Sequence, residues 1–267
     1  MSHSPKRPGF PANPASWQPA AGKRPAARAA APPAAGRVAA PSPAPAVRPA
    51  GAAGLDSAAF RLAMVRKLAA QGLQHAQVQQ ALSTVERHRF VDSALVAQAY
   101  EDTSLPIGHG QTISKPSVVG RMLELLCHDR PLPLGRVLEI GTGCGYQAAL
   151  LGQLSREVYS MERLRGLHER ARENLRELRL PNVHLILGDG MAGFPSGAPY
   201  AGILSAAGGE AIPPTWLEQL AVGGRLVAPA ELQPGRQSLV VIDRTAQGYQ
   251  RQVLEEVWFV PLKSGVA

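Results

Sequence analysis

The chain has 267 residues and is 45% hydrophobic, which is enough for a substantial core in one large or two small domains. It contains no run of eighteen apolar residues, so no membrane-spanning helix is expected and the chain reads as soluble. The formal net charge is +8, but seven of its Lys and Arg lie in residues 1–54, which hold no Asp or Glu. That leaves the remainder nearly neutral, and a basic nucleic-acid groove on it is not expected.

Residues 1–54 also carry twelve of the 24 prolines. Such a stretch buries too little apolar surface to offset its ordering entropy, and proline breaks the helix that alanine favours, so it reads as a disordered basic tail. The same prolines spoil the amphipathic helix of a transit peptide, and there is no secretory apolar region. Cys127 and Cys144 give neither a disulfide framework nor metal-ligand spacing. A reducing, cytoplasmic setting without a bound metal is expected.

Residues 55–267 read as the folded domain, with a helical entrance piece over 55–127 and an α/β core over 134–267. Phe60, Met64, Val65 and Leu68 recur at helical spacing in 57–71, and Gly72 ends that helix. A second helix is expected over 76–85 and a third helical segment up to Tyr100. Residues 105–116, Leu-Pro-Ile-Gly-His-Gly-Gln-Thr-Ile-Ser-Lys-Pro, are too rich in glycine and proline for an ordinary helix or central strand. They read as a loop whose hydroxyl groups face a ligand, with Ser114 or Ser117 as alternative caps of a helix over 117–127.

The chain is organised around residues 136–147, Arg-Val-Leu-Glu-Ile-Gly-Thr-Gly-Cys-Gly-Tyr-Gln. Val137, Leu138 and Ile140 suit a buried strand. Gly141, Gly143 and Gly145 strip side chains from the turn, and an apolar helix over 146–154 follows. A dinucleotide turn would place a third glycine at 146, where Tyr146 stands, and no Gly-Lys-Ser/Thr ending marks a phosphate loop. With Glu139 before it, the turn resembles the S-adenosylmethionine loop of Rossmann-like methyltransferases.

Strand and helix then alternate, as in a doubly wound sheet. A strand over 158–161 ends in Glu162, about twenty residues after Gly141, where a carboxylate can accept both hydrogen bonds of a ribose diol. An amphipathic helix over 164–180 and a strand over 183–187 follow. The latter ends in Gly188-Asp189-Gly190, with Asp189 either an acceptor for an adenine amino group or a turn residue. The rest reads as a strand over 201–206, a helix over 212–220 and a strand over 225–229. Two last strands, over 237–244 and 250–261, make an antiparallel end whose order the sequence leaves open.

Taken together, Phe90-Val91-Asp92, the block from Leu105 to Pro116, Leu138 to Gln147, Met161-Glu162-Arg163, Gly188-Asp189-Gly190 and Phe259-Val260-Pro261-Leu262 resemble the protein-L-isoaspartate O-methyltransferase family. The resemblance spans roughly residues 60–262, and the Leu-Pro-Ile-Gly-x-Gly-Gln-Thr-Ile-Ser block is its most telling part. It implies methyl transfer from S-adenosyl-L-methionine to the α-carboxylate of isoaspartyl residues in damaged proteins and peptides. It further implies Ser114 as the active-site residue, and Thr112, Ile113, Glu139, Gly141, Gly143, Gly145, Glu162, Asp189 and Gly190 around the cofactor. A monomer is expected. Where the family commonly opens its fourth strand with an aromatic-Asp-Ala-Ile stretch, this chain has Tyr200-Ala201-Gly202-Ile203. The alternatives are a methyltransferase on another acceptor, such as nucleic acid, or a catalytically silent cofactor-binding module.

Overall fold

The computed structural model describes residues 57–267. The expected tail over 1–54 lies outside the described residues. Helices α1 (Ser57–Ala70), α2 (Ala76–Thr84) and α3 (Pro116–Cys127) form the entrance piece. Their buried faces, Met64, Val65 and Leu68 on α1, Val78, Ala81 and Leu82 on α2, and Val119, Met122, Leu123 and Leu126 on α3, belong to one apolar cluster. The third helical segment expected up to Tyr100 is a 3-10 helix, Ser93–Gln98, and a second 3-10 helix, Arg87–Phe90, precedes it. The stretch read as a loop contains a small hairpin, β1 (Leu105–Gly108) with β2 (Gln111–Ile113), turning at Gly108-His109-Gly110 with positive φ at all three residues.

The core sheet has seven strands: β3 (Leu134–Ile140), β4 (Ser155–Glu162), β5 (Val183–Leu187), β6 (Tyr200–Ser205), β7 (Leu220–Gln233), β8 (Arg236–Thr245) and β9 (Gly248–Val257). Their spatial order is β5-β4-β3-β6-β7-β8-β9. The pairs from β5 to β7 are all parallel, and β8 and β9 add antiparallel. The end of the sheet is therefore a plain meander, which settles the order the sequence left open. Helices α4 (Tyr146–Leu154), α5 (Arg165–Arg176) and α6 (Pro214–Gln219) supply connections between parallel strands.

Period-two alternation sends neighbouring residues to opposite faces of this sheet. Val137, Leu204, Val227 and Val241 pack into the cluster that holds α1 to α4. Leu138, Ile203, Leu226, Val240 and Ile242 pack with Trp216 of α6 into a second cluster. Both faces are thus covered, the condition for a mostly parallel sheet, and the expected Rossmann-like doubly wound α/β class is the one observed.

Chain progression runs outward from β3 through β4 to β5, and then from β6 in the opposite direction. That reversal puts a crevice at the carboxyl ends of β3 and β6. The crevice is where the glycine turn sits.

Candidate active site

The turn after β3 is possible because of its glycines. Gly141, Gly143 and Gly145 have φ of 90°, 56° and 91°, a region other residues enter at a cost. A Cβ on Gly145 would also lie 3.1 Å from Leu175 of α5, and one on Gly143 3.2 Å from Ile107 of β1. Tyr146, standing where a dinucleotide turn would have its last glycine, is fully buried. Its ring lies 5.0 Å from the Arg87 guanidinium and meets Phe90 edge-on at 5.4 Å. It packs α4 against the entrance piece and leaves no room for the close helix–strand approach of a pyrophosphate site.

Around the turn lies a cavity of about 320 Å³. Of the expected site residues, Thr112, Ile113, Ser114, Gly141, Gly143, Glu162 and Gly190 line it, brought there from four separate stretches of chain. Ile140, Met161, Leu164 and Leu167 supply apolar wall. Gly190 matters through contact: a Cβ there would come within 2.6 Å of Ile140. Glu162 is buried at the end of β4, where Oε2 accepts from the Gly143 N–H at 2.9 Å and Oε1 from the Leu164 N–H at 3.0 Å. A carboxylate that holds the turn has lone pairs remaining for a ligand diol.

Three expected residues do not line this cavity. Gly145 lies behind it, against α5. Glu139 is fully buried within the sheet, accepting from Gln147 Nε2 at 3.0 Å and from the Ser160 hydroxyl, which in turn meets Thr142 Oγ1 at 2.6 Å. Burial pushes its carboxyl up to about 8, although the Ser160 and Gln147 hydrogen bonds pull the other way. Asp189 has the geometry of a turn residue: Oδ1 accepts from Met191 N–H at 2.9 Å and Oδ2 from Gly265 N–H at 2.7 Å.

The Gly265 contact belongs to a strap that the sequence did not announce. Ala267 N–H donates to Arg163 O at 2.9 Å, Arg165 N–H to Ala267 O at 2.8 Å, and Arg163 Nε to Gly265 O at 2.9 Å. Residues 260–263, just ahead of it, form part of the cavity wall.

The Ser114 loop is held from below. Arg87, fully buried, donates through Nη2 to Ser114 O at 2.8 Å and through Nε to Ala99 O at 2.8 Å. Neither Ser114 nor Ser117 caps α3. Pro116 opens the helix and its Ser117 N–H is taken by Asp102 Oδ1 at 2.8 Å, a cap supplied from fifteen residues upstream. The Ser114 hydroxyl has no hydrogen-bond partner among the described residues, and it is half-buried on the cavity wall. Cys144 is buried and its thiol is pushed upward by desolvation, which suits a small filler and not a nucleophile. His109 sits exposed at the hairpin apex with φ of 54° and forms part of the rim.

A glycine turn at the switch point of this sheet, with an acid closing the next strand and a wall of hydroxyl-bearing loop opposite, defines a Rossmann-like methyltransferase of class I. Relatives bear this out. A family profile described as protein-L-isoaspartate(D-aspartate) O-methyltransferase matches residues 60–267. A Leptothrix cholodnii protein-L-isoaspartate O-methyltransferase is 60% identical over 80% of this chain and 77% of its own length. A Burkholderia lata protein of the same name is 55% identical over 82% and 71%. A solved protein-L-isoaspartate O-methyltransferase superposes with a TM-score of 0.69 at 29% identity, covering 76% of this chain and 66% of the other. A Plasmodium falciparum beta-aspartate methyltransferase, solved in complex with S-adenosyl-L-homocysteine, shares the fold with a TM-score of 0.67 at 23% identity, covering 76% and 98%. The chain belongs to the protein-L-isoaspartate(D-aspartate) O-methyltransferase family.

Proposed function

We propose that the protein transfers the methyl group of S-adenosyl-L-methionine to the α-carboxylate of L-isoaspartyl residues in damaged proteins, which starts repair through a succinimide. The observation that carries this reading is the junction of two unlike walls in one cavity. The glycine turn with Glu162 fits a nucleoside, and the loop ending in Ser114 presents an unengaged hydroxyl towards it.

When bound, the sulfonium cofactor supplies an already activated methyl group. A carboxylate with an ordinary pKa near 4 is an anion at neutral pH, so this chain has no proton to remove from its acceptor. Its task is placement. Gly141 and Gly143 let backbone approach the nucleoside, Glu162 accepts from the diol, and Gly190 keeps the floor open below Ile140. Ser114 would donate its hydroxyl hydrogen to the acceptor carboxylate and orient one of its oxygens, while the apolar wall would exclude water. Such alignment can supply on the order of 7–11 kcal/mol.

On this reading 55–267 is the catalytic unit and 1–54 an appendage. The protein acts as a monomer in the cytoplasm, without a metal. Among the described residues no helix is long and apolar enough to cross a membrane, and no group of three His, Cys, Asp or Glu gathers to hold a metal.

The test uses labelled methyl transfer to one peptide made in isoaspartyl and normal aspartyl forms. Base-labile label is expected on the isoaspartyl form alone. Ser114→Ala should lower the turnover number by roughly 10- to 100-fold, the value of a hydrogen bond to a charged group, while cofactor affinity is kept. Cofactor binding with no label on either peptide would overturn the reading.

A further inference from the structure

Beyond the cavity wall that carries Ser114 lies a second, smaller groove of about 100 Å³. The two are neighbours in the strict sense, because Thr112, Ser114, Ala206 and Val260 line both. Methyl transfer by displacement needs the acceptor oxygen and the leaving sulfur on opposite sides of the methyl carbon. If the cofactor takes the side of the glycine turn, the acceptor must come from the other side of Ser114. That is where the second groove opens.

One wall of this groove is Trp258, which is 81% exposed, the largest exposure among the large apolar side chains of the described residues. Its neighbours are anchored. Val257 is buried, Phe259 N–H donates to Gln237 Oε1 at 2.9 Å, and Gly208 N–H donates to Val260 O at 2.9 Å. The backbone on both sides is thus fixed while the indole stands uncovered, a preorganised aromatic surface that loses little freedom on contact. The charges of the groove are one-sided as well. Glu256 is taken up by Arg236, whereas Lys115 is exposed and its side-chain ammonium has no hydrogen-bond or ion-pair partner among the described residues, only its backbone carbonyl being engaged, by the Val118 and Val119 N–H groups. What remains for a visitor is one cation and one aromatic plane.

We propose that this groove receives the peptide chain flanking the methyl-acceptor residue, and that Trp258 is a specificity-determining platform for the side chain of one flanking residue. The inference rests on the isoaspartyl reading of the main cavity and adds a preference to it. The α-carboxylate passes Lys115 on its way to Ser114, and an apolar or aromatic neighbour lies on the indole.

The experiment is a set of isoaspartyl peptides in which each of the two positions on either side of the isoaspartate is Gly, Leu or Tyr. They are assayed with the full-length wild-type protein, Trp258→Ala and Trp258→Phe. At one flanking position wild type is expected to show a KM at least fivefold lower for Tyr or Leu than for Gly, with kcat within twofold. Trp258→Ala should abolish that preference and leave the Gly peptide unaffected, while Trp258→Phe should keep most of it. Methylation of every isoaspartyl peptide with no dependence on the flank, or a preference that survives in Trp258→Ala, overturns the groove assignment and leaves the activity standing. Failure of wild type to methylate any of them overturns both. A change in oligomeric state of Trp258→Ala, seen by ultracentrifugation with all KM values unaltered, would give the indole to a second copy of the chain and overturn the assignment too.

Discussion

A carboxyl group buried like that of Glu139 keeps its proton where an exposed one has lost it, and this ties stability to pH. With an ordinary value of 4.5 in the unfolded chain and about 8 in the fold, both states are protonated below about pH 4.5. Between 4.5 and 8 the unfolded chain has released the proton that the fold retains, so stability falls as pH rises; above about 8 the loss is complete. The slope approaches about 1.4 kcal/mol per pH unit for one proton. Urea midpoints of wild type and Glu139→Gln, compared from pH 5 to 8, should show wild type losing ground to the variant, and parallel curves would refute the buried-proton account. Glu162, one strand over, has a different task. Glu162→Gln removes the charge that accepts from Gly143 and that, on the proposed function, accepts from the cofactor diol, so the cofactor KM should rise by roughly tenfold while the KM for the isoaspartyl peptide stays within twofold. The sequence could place both acids near the turn because strand length and the twenty-residue spacing are local properties. It could not separate their roles, since the burial of Glu139 depends on Ser160 and Gln147 closing over it.

At the scale of elements, the glycine turn and the Ser114 loop are coupled by packing. Gly145→Ala would put a Cβ at φ of 91° and 3.1 Å from Leu175, so the expected cost is more than about 1 kcal/mol, read as a lowered urea midpoint. Arg87 links the two elements, lying over Tyr146 of α4 and holding Ser114 O from beneath. Arg87→Met should cost about 3 kcal/mol, because at least two carbonyl groups lose their donor, and the fraction that remains folded should show a lower turnover number. Undiminished turnover in folded Arg87→Met would mean that the loop holds itself. Such coupling explains which elements were legible in advance. The parallel strands announce themselves as apolar runs before glycine or acid, and β3 to β6 fell where such runs stand. The β1–β2 hairpin did not, because its signal is hidden among glycine and proline that its turn requires. Strand β7 runs from Leu220 through Gly223-Gly224, where the register with β6 shifts, so the strand expected over 225–229 is part of a longer one with an irregularity at that glycine pair. Helix α5 stops at Arg176 although its amphipathic pattern continues, since periodicity reports a face and not an end.

The molecule as a whole divides its chemistry unequally between its two sequence regions. Apolar clusters on both faces of the sheet, the crevice at the β3–β6 switch and every residue proposed for methyl transfer lie within 57–267, and the family match begins at residue 60. Almost all of the net positive charge lies in 1–54. If that charge guided an acidic partner such as nucleic acid to the active site, removing it would change turnover on that partner and its salt dependence. If it did not, the truncated protein would keep its activity and lose only attraction to polyanions. The second outcome is expected, for the remainder is nearly neutral overall and has little net charge to hold what the tail would deliver. A protein lacking residues 1–54 should therefore methylate an isoaspartyl peptide with kcat/KM within about twofold of wild type, because a small peptide needs only the local geometry around Ser114. Its retention on a polyanionic column at low salt should fall to near zero, which the full chain should exceed by an amount that vanishes as ionic strength rises. A tenfold loss of kcat/KM on the peptide would instead make the tail part of the catalytic unit.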